Sequence, residues 1–199
     1  DGVFNNNDYI LFYAKGPNGY NSESNTNLNI YSDKTAYYIN IGSSPGKRIL
    51  ENIQPDNPTN TVINTYTSYK YHEIDEYNIA KIGRRWFGNR FDFNSSQTFE
   101  FNFPNLITEE PINIKIYTAA VSEISTSMSI SVNNQEISNL NYSPIGDPVL
   151  VSGDFYSDNI MVSNSNISVN LNYNNNGNPS SVAYLDYISI EGSSDLVFN

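Results

Sequence analysis

From Thr61 onward the chain alternates apolar and polar residues with a period of two, the mark of half-buried β-strands. Between 62 and 71 one face carries Val62, Asn64, Tyr66, Ser68 and Lys70, and the other Ile63, Thr65, Thr67, Tyr69 and Tyr71. Thr98–Phe103 brings Phe99, Phe101 and Phe103 to one side, and Ile112–Val121 does the same with Ile112, Ile114 and Ile116. Met128, Ile130 and Val132 form a further face, followed by Ile137 and Leu140. Val149–Phe155, Ile167–Tyr173 and Val182–Ile190 close the series. Tyr, Ile, Val, Phe and Thr, the residue types that fit a pleated surface, dominate these runs. Asn133-Asn134 reads as a hairpin turn of the kind that tolerates positive φ, and Asn174–Pro179 as a polar loop.

Before Thr61 the pattern is looser. Tyr9–Ala14 and Ala36–Ile41 are predicted strands, with turn chemistry at Gly16-Pro17-Asn18-Gly19. Pro55–Asn60 reads as a linker. No segment sustains a helical period, and Glu73–Lys81 is the one predicted helical turn. The chain is therefore expected to be all-β. Residues 1–60 form a small β-rich N-terminal segment, and residues 61–199 form an antiparallel β-sandwich of jelly-roll type, with about eight strands.

Charge and cysteine usage narrow the function. The net charge of -11 and pI of about 4.3 argue against nucleic acid, whose binders carry basic patches. Eight of the ten basic residues fall between Lys34 and Arg90, and after Lys115 every charged side chain is acidic. The chain has no cysteine, so it supplies neither a disulfide nor a thiolate nucleophile, and no peptidase activity of the thiol type is expected of it. No apolar run is long enough to be a transmembrane helix, and there is no signal-peptide pattern. The opening at Asp1 reads as a cut through a longer protein.

The densest chemistry lies in Gly83-Arg84-Arg85-Trp86-Phe87-Gly88-Asn89-Arg90-Phe91-Asp92-Phe93, which holds the only tryptophan and three arginines. Arg84, Arg85, Trp86, Phe87 and Arg90 suit a structural plug, because arginine stacks on aromatic faces and pairs with carboxylates. They equally suit a docking surface, since Trp, Phe and Arg are hot-spot residues. On the plug reading Trp86 is buried and at least one arginine pairs with an Asp or Glu of this chain.

Other constellations say less. Asp1-Gly2 followed by Asp8 fits the second half of an EF-hand-type calcium loop, and a polar turn accounts for the same residues. His72, the only histidine, is read as the polar end of a strand, since nothing places a serine in a nucleophile elbow beside it. Glu73, Asp75, Glu76, Glu109 and Glu110 are read as solvated surface in preference to a glycosidase pair. Outward tyrosines among the 16 leave open a carbohydrate platform.

Several stretches taken in order resemble one family. Asp1–Tyr13 (D-G-V-F-N-N-N-D-Y-I-L-F-Y), Tyr31–Arg48 ending in Gly46-Lys47-Arg48, the Gly83–Phe93 motif and Leu185-Asp186-Tyr187-Ile188 are similar to the type IX secretion system sortase of Bacteroidota, of the gingipain-like cysteine peptidases. The resemblance implies a secreted or cell-surface protein, associated with the outer membrane and its type IX components. Such a protein removes sorting domains from exported cargo and can attach the cargo to anionic lipopolysaccharide. It also implies that this chain is a β-rich scaffold lying upstream of the catalytic domain, so no active-site residue falls on it. A carbohydrate-binding module is the alternative from a different class.

Overall fold

The computed structural model describes residues 5–6, 9–21, 26–29, 31–40, 42, 62–79, 85–146 and 149–197. Nine strands are formed: β1 (Thr65–Glu73), β2 (Gly88–Phe91), β3 (Ser96–Asn102), β4 (Ile112–Val121), β5 (Thr126–Val132), β6 (Gln135–Tyr142), β7 (Ser152–Ile160), β8 (Asn166–Asn174) and β9 (Val182–Asp195). They make two antiparallel sheets. The first runs β1-β9-β4-β7 with β2 also on β9, and the second runs β3-β8-β5-β6. This is an antiparallel β-sandwich of jelly-roll type.

The alternation in the sequence becomes the core. Ile112, Ile114 and Ile116 of β4 and Ala183, Leu185, Ile188 and Ile190 of β9 meet Met128, Ile130, Val132, Ile167, Val169 and Leu171 of the second sheet. Phe99 and Phe101 of β3 and Leu140 and Tyr142 of β6 close its sides. Tyr142 is fully buried, and its hydroxyl finds a partner in Thr118 at 2.6 Å. Burial pushes that phenol well above its ordinary pKa.

The inward positions of β9 change parity between Leu185 and Ile188. Thr118 of β4 faces Leu185 and Tyr117 faces Tyr187, which makes Asp186 the extra residue of a β-bulge. Beside it, β4 holds one side of β9, while β1 and β2 lie end to end along the other. A second bulge falls at Asn89 of β2, which adopts φ 34°. Two bulges therefore flank the β1–β2 junction.

Three expectations differ from the structure. Tyr9–Ala14 and the described part of the second N-terminal run, Ala36–Asn40, form no strand; Tyr9, Leu11, Tyr38 and Ile39 are exposed, with no neighbouring strand to pair with. Among the described residues before 61, the β-structure is a single antiparallel bridge, Asn21↔Thr26. No helical turn forms over 74–79: Glu73 ends β1, and Tyr77 bridges back to Phe87. The four-residue strand β2 is additional, too short to show a period in the sequence. Asn133 and Asn134 take φ of 48° and 66°, as the hairpin requires.

Candidate functional site

The arginine–aromatic motif enters the fold at the bulged junction, on the outer face of the first sheet. Phe87 bridges back to Tyr77, and Arg85 and Phe87, two residues apart, both reach the Tyr117 ring. Arg85 and Phe87 face the sheet. The Arg85 guanidinium lies 4.1 Å over the Tyr117 ring, and its Nε is 3.5 Å from Oδ2 of Asp186. Phe87 is buried, with the rings of Tyr117 and Tyr184 each at 6.4 Å. Trp86 faces the other way and is 37% exposed, so the expected burial of its indole is corrected. Arg90 pairs with Asp92 at 2.9 Å. Arg84, Asp1 and Asp8 lie outside the described residues.

Asp186 is the residue that sequence reasoning missed. Burial pushes its carboxyl up to about 7; Arg85 opposes the shift, and Glu73 and Asp75 add to it. Burial outweighs the arginine because the contact is a single Nε at 3.5 Å on a guanidinium about one-third exposed. The available signal was Asp186 itself, the only charge in the apolar run Val182–Ile190.

Glu73 is not the solvated residue expected. It is 8% exposed and anchors the N-terminal segment. Its Oε2 accepts the Asn27 backbone N–H at 2.6 Å and Asn27 Nδ2 at 3.0 Å, and its Oε1 accepts the Thr26 hydroxyl. The Tyr69 hydroxyl donates to Asn27 Oδ1 at 2.7 Å, and Asn27 is completely buried. Glu76, Glu109 and Glu110 are exposed. His72 is occupied structurally: its Nε2 lies 2.6 Å from Asn89 Oδ1 and its ring 4.7 Å from that of Phe99.

That anchor brings two parts of the chain around the outward indole. Asn18, Leu28, Asn29 and Asp33 from the N-terminal segment, with Asp75 and Trp86, line a hollow of about 290 Å³. Asp75 is half-buried, and burial, then the Glu73 charge, raises its carboxyl. Among the described residues no group of three His, Cys, Asp or Glu can hold a metal ion, and no helix is long and apolar enough to cross a membrane.

The fold and its outer face define a β-sandwich module. No family model matches the chain, and no curated protein matches it. Among solved structures it is similar to dimeric latent PorU from Porphyromonas gingivalis, with a TM-score of 0.57 and 19% identity over 70% of this chain and 14% of that one. It is also similar to a family 35 carbohydrate-binding module from an environmental isolate (TM-score 0.41, 12% identity, 65% of this chain and 91% of that one). A third is the carbohydrate-binding module CBM36 in complex with calcium and xylotriose (TM-score 0.39, 14% identity, 62% and 98%). At these identities the likeness is one of fold, and the two modules superpose too loosely to add to it. The chain spans about one-seventh of PorU, from the 14% covered.

Proposed function

We propose that this chain is a non-catalytic β-sandwich module of a surface sortase that processes type IX secretion cargo, serving as scaffold or docking domain for a downstream cysteine peptidase domain. The observation that supports this reading is the shared fold with PorU, a type IX sortase, over 70% of the chain. The absence of cysteine agrees with catalysis residing in another domain. On this reading the parent protein is exported to the cell surface, associates with outer-membrane type IX components and belongs to Bacteroidota. Residues 61–199 are the sandwich domain, and residues 1–60 the segment strapped to it. Arg84, Arg85, Trp86, Phe87 and Arg90 divide their work: Arg85 and Phe87 hold the motif to the sheet, and Trp86 offers contact surface. Calcium, if bound, is held at Asp1 and Asp8.

A carbohydrate-binding module is the second reading. It is favoured by one observation, the exposed Trp86 beside a concave hollow that carries amide and carboxyl groups.

The test is the coding sequence after Asn199 and a binding assay with the domain it encodes. A gingipain-like domain with Cys and His is expected, and it should bind this chain. Trp86→Ala should weaken that binding about tenfold, roughly 1.4 kcal/mol, with the melting temperature little changed. A following sequence without such a domain, or a domain that does not bind, overturns the sortase reading.

A further inference from the structure

The hollow around Trp86 carries matched hydrogen-bonding chemistry. Asn18 Oδ1 accepts the Asn29 backbone N–H at 3.1 Å, and Asn29 Oδ1 accepts the Tyr31 N–H at 3.0 Å. Both amide oxygens are thus engaged by backbone, which fixes the two Nδ2 groups as donors. Neither Nδ2 has a hydrogen-bond partner among the described residues, and neither Asp33 nor Asp75 has an ion-pair partner among them. The lining offers amide donors, carboxylate acceptors and the partly exposed indole of Trp86.

A hydroxyl group both donates and accepts, so a ring of hydroxyls over apolar C–H faces needs this mixture. A bare cation uses acceptors alone and leaves the amide donors idle. An anion is repelled by the two carboxylates. We infer that the hollow formed by Trp86, Asp33, Asp75, Asn18 and Asn29 is a binding site for an uncharged saccharide, taken as one terminal sugar ring stacked on the indole. Its volume of about 290 Å³ is near the lower end of the roughly 300–1,000 Å³ typical of ligand pockets, which suits a single ring. The walls come from separate parts of the chain, and the buried Glu73–Asn27 contact fixes one against the other. The site gives the carbohydrate-binding reading a place in the structure, and it stands whether or not a peptidase domain follows.

Trp86 is the only tryptophan, so its fluorescence reports this hollow without interference. The whole 199-residue chain is titrated with the methyl glycosides of xylose, glucose, galactose and mannose. Galacturonate and arginine amide serve as anionic and cationic probes. A saturable change in emission with at least one neutral glycoside is expected, weakened about tenfold in both Asp33→Ala and Asn29→Ala. Both positions are exposed, and an unchanged circular dichroism melt verifies that each variant is folded. Three results overturn the inference: no saturation with any neutral glycoside, saturation untouched by either substitution, or a response confined to arginine amide. Because the peptidase domain is absent from this assay, the sortase reading neither gains nor loses by the outcome.

Discussion

Asp186 and Phe87 set the energetics of the outer face residue by residue. The Asp186 carboxyl is held at about 7 in the fold, against about 3.9 in an unfolded chain, so the folded state binds its proton more tightly. Its contribution to stability is complete below about pH 4 and is lost as pH rises through 7, by roughly 4 kcal/mol at most. Asp186→Asn removes the ionisation while keeping the shape. Urea unfolding at pH 5 and pH 8 should show the variant gaining on the natural chain as pH rises, and parallel profiles would sink the assignment. Phe87 and Trp86 are adjacent yet unequal. Phe87→Ala opens a cavity between Tyr117 and Tyr184 and should cost about 3–5 kcal/mol. Trp86→Ala removes a side chain already more than one-third exposed and should cost about 1 kcal/mol or less. Thermal melts of the two variants check the order, and a larger loss at Trp86 would restore the plug reading for that residue.

At the scale of elements, strands with a partner were legible and those without were not. Ile112–Val121 was read to its end residues because β7 and β9 complete its ladders on both sides and the facing sheet buries the face that its isoleucines mark. Tyr9–Ala14 has equal β-propensity, yet propensity forms no ladder without a neighbouring strand to complete it. The hollow was illegible because its walls come from Asn18, Asn29 and Asp33 as well as Asp75 and Trp86, and no local pattern joins them. The anchor at Glu73 was hidden in the same way: its partners, Thr26 and Asn27, are remote in sequence. The parity change in β9 was present in the letters, since Ala183 and Leu185 are odd and Ile188 and Ile190 even. Edge protection is also built from side chains. On β7, Asp154 and Asp158 each accept the N–H of the following residue at 2.8 Å, which occupies donors beside the exposed Phe155.

For the whole molecule, β9 is the member on which the first sheet depends. It alone contacts β1, β2 and β4, from Thr65↔Asp195 at one end to Phe91↔Ala183 at the other. A chain ending at Ser181 lacks every one of those ladders. It is expected to give a disordered amide spectrum by NMR, with no cooperative melt; a dispersed spectrum from that truncation would contradict the role given to β9. The same dependence has a temporal side. In chain order β9 follows every strand it pairs with, and most of its pairings are distant in sequence, which slows their formation. Until β9 is made, β1 and β2 have no strand of this sheet to dock on, and β4 has only β7. The part of the sheet that holds β1 and β2 therefore stays pliable until β9 is in place.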